Sequence, residues 1–222
     1  MELKDYLYYQ DDAGEIYCGD CLEIMPLLAD KSIDLVLTDP PYGITENYDK
    51  HIDTEENLKN LISGFMPEIL RIGKVIAFTP GNKNIFLYPK PDWILSWVVP
   101  QGAGMCSWGF VCWHAILVYG KDPYLANRLG SRPDIIMGNF IQNIQDHACS
   151  KPTHIWEKLL LRCSVNETDL ILDPFLGSET TAVACKRLNR RFIGIEISEK
   201  YCEIAKNRLQ NVVEPLFKGV VK

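Results

Sequence analysis

A chain of 222 residues, 47% apolar and 23% charged, is long enough for one sizeable α/β core and too short for two full domains. Its net charge of −6 excludes a uniformly basic nucleic-acid binder but leaves room for a local basic face, because binding follows charge distribution more than its sum. The longest apolar run, Met105 to Tyr119, carries Gly109 and His114, and the opening Met1-Glu2-Leu3-Lys4-Asp5 lacks the basic-then-apolar order of a signal peptide, so a cytoplasmic protein with no membrane partner is expected.

In chain order, Glu15 to Tyr17 reads as a strand entering Cys18-Gly19-Asp20, and Leu22 to Leu28 has helical spacing. Asp34 to Thr38 is a buried strand. Thr54 to Ile72 repeats apolar residues at Leu58, Leu61, Ile62, Phe65, Ile69 and Leu70, a helix period. Val75 to Phe78 is a strand closed by Thr79-Pro80-Gly81, and Ile94 to Val99 and Ala115 to Tyr119 are two more. His154 to Cys163 reads as a helix. Leu170 to Leu172 and Phe192 to Ile197 are strands separated by a helix from about Glu179 to Leu188. Ser198 starts a last helix, with Tyr201, Ile204, Ala205 and Leu209 on one face.

This alternation predicts a Rossmann-like α/β fold: a mostly parallel twisted sheet with helices on both faces. Ligands of such sheets sit beyond the carboxyl ends of the strands. Asp20, Asp39, Asp173 and Glu196 all fall at or near such ends, so four acids are expected to face one crevice. Cys18 and Cys21 have CxxC spacing without a second close pair, so the eight cysteines read as reduced, small core residues, and no metal is expected. Lys186, Arg187, Arg190 and Arg191 form one basic cluster, and Arg128 and Arg132 another; either could be a DNA face or ordinary solvated surface.

Two motifs carry the chemistry. The later one starts where the strand Leu170–Leu172 runs into Asp173-Pro174-Phe175-Leu176-Gly177-Ser178 and a helix. Gly177 allows close backbone approach, the helix start offers unpaired N–H groups to an anion, and Ser178, Thr180 and Thr181 add hydroxyls. No GxxxxGK[ST] pattern is present, so this is not a phosphate-binding P-loop. S-adenosylmethionine suits it: a carboxylate for the helix start, an ammonium and a sulfonium for Asp173. Glu196 closes the next strand, 23 residues on (196 − 173), where such folds grip two ribose hydroxyls.

The earlier motif is Asp39-Pro40-Pro41-Tyr42-Gly43, at the end of Ile33 to Thr38. An exocyclic amino group on a base is a poor nucleophile, since its lone pair is delocalised into the ring. Acceptors around the amino protons localise that pair. Asp39 offers a carboxylate and Pro40 a backbone carbonyl, while Pro40 and Pro41 fix φ and remove competing N–H donors. Tyr42 offers a flat face for stacking. The target base must be flipped out of a duplex or be single-stranded already. Neither a metal nor a covalent enzyme intermediate is needed for an in-line methyl displacement.

Taken together and in this order, Asp-Pro-Pro-Tyr before Asp-Pro-Phe-x-Gly-Ser resembles the β-class of S-adenosylmethionine-dependent DNA amino-methyltransferases, over about Ile16 to Leu209. The resemblance implies a permuted motif order and methylation of adenine at N6 or cytosine at N4. Asp39 favours adenine, since cytosine-N4 members more often show Ser there. It implies that Gly19-Asp20 contacts the cofactor adenine and that His147-Ala148-Cys149-Ser150-Lys151-Pro152 is the family's Lys-Pro segment beside the methionine moiety. Phe110 to Lys121 resembles a later catalytic-side strand, on which His114 could face the target or be a core histidine, the latter being favoured. One domain is expected over 1–222: a catalytic half at about 15–121, a short target-recognition insert at about 122–146, and a cofactor half at about 147–210. So short an insert implies loose specificity, a partner that supplies it, or sharing with the loop Thr45 to Thr54. Recognition sequence, a role beside a restriction enzyme, and monomer or homodimer all stay open.

Rival readings are methylation of cytosine N4, RNA or a protein amide, and an idle binder of cofactor or nucleic acid. The last is motivated by Glu179, which stands where the family usually has Gly. A carboxylate there either gains from the helix dipole or repels the methionine carboxylate; weakened cofactor binding is the expectation.

Overall fold

The computed structural model describes residues 1–43, 47, 48, 51–139, 151–177 and 180–212. Nine strands form one sheet: β1 (Leu7–Gln10), β2 (Gly14–Cys18), β3 (Ile33–Thr38), β4 (Gly73–Phe78), β5 (Trp93–Val98), β6 (Trp113–Tyr119), β7 (Ile135–Met137), β8 (Leu170–Asp173) and β9 (Arg191–Glu196). Their spatial order is β1-β2-β9-β8-β3-β4-β6-β5-β7. Only β1 and β6 run antiparallel to their neighbours. The mostly parallel sheet is therefore as expected, with β1 and β7 as additional edge strands that short, half-exposed sequences gave no pattern for.

The helices are α1 (Cys21–Ile24), α2 (Glu55–Ile72), α3 (Pro123–Ala126), α4 (Thr153–Cys163), α5 (Thr180–Arg187) and α6 (Glu199–Gln210). The helix expected to run on to Leu28 tightens into a 3-10 turn at Met25–Leu27, where Pro26 cannot donate an α-helical hydrogen bond. On α2, Thr54 caps the start by accepting from Asn57 N–H at 3.2 Å, and the buried stripe is Leu58, Ile62, Phe65, Met66, Ile69 and Ile72. Each such side chain contributes about 1.5–3 kcal/mol by leaving water, before the entropy of ordering it is subtracted.

Alternate strand residues feed two cores. Leu35, Leu37, Ala77, Ile116 and Ile171 pack against α4, α5 and α6; Val36, Ile76, Phe78, Leu117 and Leu172 pack against α1 and α2. On α6 the inward face is Cys202, Ala205 and Leu209, with Tyr201 and Ile204 only half-buried, a rotation from the expected face. Cys21, Cys163, Cys185 and Cys202 are core residues as expected, whereas Cys106 and Cys112 are exposed. No described helix is long and apolar enough to cross a membrane.

Strand direction places the two basic clusters. Arg128 and Arg132 precede β7, at the amino-end edge of the sheet, and Arg132 stacks over the Tyr124 ring at 4.6 Å. Lys186 pairs with Asp11 at 2.8 Å, Arg187 with Glu157 at 3.3 Å, and Arg190 is buried. These groups lie at the end of α5 and the start of β9, again away from the carboxyl ends. Residues 135–137 of the stretch read as a recognition insert extend the sheet as β7, with Ile136 buried.

Candidate active site

The four acids come from four adjacent strands, β2, β9, β8 and β3. Register brings Glu196 beside Cys18 and Asp173 beside Gly194, and Gly19 N–H donates to the Glu196 carbonyl at 2.9 Å. The four strand ends therefore stand side by side at one edge of the sheet.

On its cofactor side, Asp173 is 4% exposed. Its Oδ1 accepts from the Thr38 hydroxyl at 2.5 Å and from Phe175 N–H at 3.1 Å; its Oδ2 accepts from the Thr181 hydroxyl at 2.5 Å. Burial pushes this carboxyl up to about 6, against the lowering effect of those three donors, with Asp39 adding a further upward push. Glu196 ties two segments together: Oε2 accepts from Gly177 N–H and Oε1 from Ser198 N–H, both at 2.8 Å. Gly177 has φ +52°, which explains the glycine by conformation rather than space. Asp20 caps α1 by accepting from Leu22 N–H at 2.8 Å. Phe175 turns its ring edge-on to Phe65, centroids 5.3 Å apart, so its ring belongs to the core. Thr180 donates to the Lys151 carbonyl at 3.2 Å, and Thr181, which also accepts from the Trp156 indole at 2.9 Å, faces inward. Ser178, Glu179 and His147 to Ser150 lie outside the described residues.

The catalytic side is held from beneath. Asp53 is 0% exposed and its carboxylate accepts from Tyr42 N–H at 3.2 Å and Gly43 N–H at 2.7 Å. Asn84 donates to the Tyr42 carbonyl at 2.7 Å. Gly81, φ +71°, lets the backbone approach the Tyr42 ring, where a Cβ would stand 3.1 Å away. Pro40 is buried and Pro41 half-buried. Asp39 takes three donors: the Tyr42 and Thr79 hydroxyls on Oδ1 and the Lys151 ammonium on Oδ2 at 2.6 Å. The ammonium also lies 4.9 Å over the Tyr42 ring. Burial alone would lower the Lys151 pKa, but Asp39 and then Tyr42 hold it well above the usual lysine range. Burial, then the Asp39 charge, raises the Tyr42 phenol. His114, at the start of β6, stacks on Trp97 at 4.8 Å; burial and then Lys151 lower its pKa, with Asp39 opposing.

The site residues absent from the sequence reading are Thr38, Thr79, Asn84 and Asp53. Thr79 follows β4 as Asp39 follows β3, so the strand-end rule would have found it. Asp53 has no comparable signal, being brought in by the loop before α2. Beyond the site, an antiparallel ribbon, Met105–Cys106 with Gly109–Phe110, continues β5 and β6 past the same edge and carries Trp108, 96% exposed. No charged Lys, Arg, Asp or Glu occurs from Trp93 to Gly120. Among the described residues no cluster of His, Cys, Asp and Glu could hold a metal ion.

A mostly parallel sheet with acids lined up at its carboxyl edge defines a Rossmann-like methyltransferase fold. Comparison with known proteins gives likenesses of that class: a family model described as DNA methylase matches residues 120–207. It is 28% identical over 236 aligned residues to the type II methyltransferase M.HpaI of Haemophilus parainfluenzae, covering 88% of this chain and 74% of that one. The chain shares its fold with the M1.HpyAVI–SAM complex (TM-score 0.63, 23% identity, covering 88% and 98% of the two chains). It also shares it with the cytosine-N4-specific PvuII DNA methyltransferase (TM-score 0.65, 18% identity, 93% and 95%).

Proposed function

We propose that the protein transfers a methyl group from S-adenosylmethionine to an exocyclic amino group of DNA, N6 of adenine in preference to N4 of cytosine. The observation that carries this reading is the junction of Asp39 and Asp173, joined through Thr38: an amino-group clamp and a cation-seeking buried acid on neighbouring strands. M.HpaI is a DNA methyltransferase by name and M1.HpyAVI is seen with SAM, which supports the same substrate and cofactor here.

The residues fit the cofactor. A carboxyl raised to about 6 is relieved by a neighbouring cation, here an ammonium or sulfonium. Both Glu196 oxygens accept a backbone N–H at the carboxyl end of β9, which fixes the carboxylate where a ribose is expected. When bound, S-adenosylmethionine supplies an electrophilic methyl. Asp39 accepts one target N–H and the Pro40 carbonyl the other, which localises the nitrogen lone pair. Pro41 keeps competing donors away, and the Tyr42 ring stacks the flipped or single-stranded base, worth about 1–3 kcal/mol. Asp20, Lys151, Phe175, Gly177, Ser178 and Thr180 complete the site, Phe175 through its backbone. The whole of 1–222 acts as one methyltransferase domain, with the catalytic half before the cofactor half and loose target recognition between them. Asp39 supports adenine by the family pattern.

Expression in a host free of DNA methylation, followed by methylome sequencing, tests this. N6-methyladenine in DNA is the expected result. N4-methylcytosine would correct the base, and methyl incorporation into RNA or protein but not DNA would overturn the substrate.

A further inference from the structure

The position of Lys151 assigns it a job different from that of a cofactor ligand. Its main chain belongs to the cofactor half, since its carbonyl accepts from Thr180 at the start of α5. Its side chain, only 13% exposed, crosses to the catalytic half and ends on Asp39 Oδ2 at 2.6 Å. A carboxylate oxygen has two lone pairs. On Oδ1 both are taken, by the Tyr42 and Thr79 hydroxyls. On Oδ2 one is taken by Lys151. Among the described residues, one acceptor position is left on the carboxylate.

We propose that Lys151 is a positioning residue of the amino-group clamp: its ammonium fixes Asp39 Oδ2 so that the one remaining lone pair meets a single N–H of the target amine. The inference rests on the proposed methyl transfer and deepens it. Without the ammonium, two lone pairs on Oδ2 are open, the carboxylate can turn, and water competes for the seat. The Thr180 bond makes Lys151 a strut, so the start of α5 and the clamp share one set of coordinates. Among the described residues, the charged and titratable groups around the ammonium are Asp39, Tyr42 and His114.

The test uses the full chain and its variants Lys151→Met, Lys151→Arg and Asp39→Asn. S-adenosylmethionine affinity in Lys151→Met stays within about threefold of the parent, because the ammonium ends on Asp39 in the catalytic half. Single-turnover methyl transfer falls at least about thirtyfold, as for loss of a charge-assisted contact, and Lys151→Arg recovers most of it. A second readout needs no methyl acceptor. The Lys151 side-chain NMR signal is followed with pH in the parent and in Asp39→Asn; the ammonium loses its proton at distinctly lower pH in the variant, since burial then acts without the opposing carboxylate. A fall in cofactor affinity parallel to the fall in rate would return Lys151 to the cofactor cradle and overturn the assignment, as would identical Lys151 titrations in parent and variant. If the parent methylates nothing, the functional reading fails while the titration still decides the Lys151–Asp39 pair.

Discussion

Replacing Asp173 by Asn is expected to make the protein more stable and less able to bind its cofactor. A carboxyl raised from an ordinary 3.8 to about 6 by burial carries a penalty of about 3 kcal/mol when ionised. Asn removes that penalty and can still accept from Thr38 and Phe175 on one oxygen. Its amide N–H₂ meets the Thr181 hydroxyl oxygen, which already accepts from Trp156, so the Thr181 proton loses its acceptor at a cost of about 1 kcal/mol. The net gain near pH 7.5 is about 1–2 kcal/mol, or a Tm higher by about 2–8 °C. The folded value lies above the unfolded one, so the folded protein holds this proton more tightly. Below about pH 4 the group is protonated in both states and the penalty is absent; it grows as pH rises and is complete above about pH 6. The advantage of Asp173→Asn should therefore shrink or reverse between pH 7.5 and pH 4.5, which thermal unfolding of both proteins at several pH values measures. A variant less stable than the parent at pH 7.5, or a difference indifferent to pH, would refute the reasoning. Calorimetry supplies the other half: S-adenosylmethionine binding weakens in the variant, and binding to the parent near pH 6 releases protons, because the cofactor's positive charge favours the ionised acid.

Asp39→Ala should abolish methyl transfer while leaving cofactor affinity within a few-fold; near-normal turnover would remove Asp39 from the clamp. Glu196→Ala should weaken cofactor binding by about 1–3 kcal/mol through lost hydrogen bonds to the ribose, and it also strips the Gly177 and Ser198 N–H groups of their acceptor. Unchanged affinity by calorimetry would mean that Glu196 does not hold the sugar. Glu179→Gly should bind S-adenosylmethionine at least several-fold more tightly, by removing a like charge near the methionine carboxylate. Equal affinity and turnover would make Glu179 a neutral surface variation and deprive the idle-binder reading of its main support.

Periodicity was a good guide wherever an element buries a continuous face. The helix Glu55–Ile72 and the strands Ile33–Thr38 and Arg191–Glu196 are legible to within a residue or two because their apolar spacing is dense. The strand Ile135–Met137 was not, since it buries only Ile136 and its register depends on Ser96 and Trp97, some forty residues earlier. Strand ends located Asp20, Asp39, Asp173 and Glu196, because a parallel sheet gives every carboxyl end the same outlook. What each acid touches was not legible. The side-chain donors to Asp173 come from residues 38 and 181, and those to Asp39 from residues 42, 79 and 151. The basic clusters are illegible for the same reason: charge counted along the chain says nothing about which edge of the sheet it reaches, and Lys186 and Arg187 are paired on the far side.

The hydrogen bond from Thr38 to Asp173 spans 135 positions of chain, yet the strands that carry the two residues are immediate neighbours. The site is a seam: the late strands Leu170–Asp173 and Arg191–Glu196 are inserted between the early strands Gly14–Cys18 and Ile33–Thr38. Neither half can own a finished pocket, and a fragment ending before Leu170 would leave the flank of Ile33–Thr38 unpaired, a template for sticking to another chain. Such long-range closure also makes the pocket a late product of folding. In return, the seam is indifferent to reading order. Lateral adjacency holds the two halves together, so a gene that encoded them in the opposite succession, with new loops, would arrive at the same crevice.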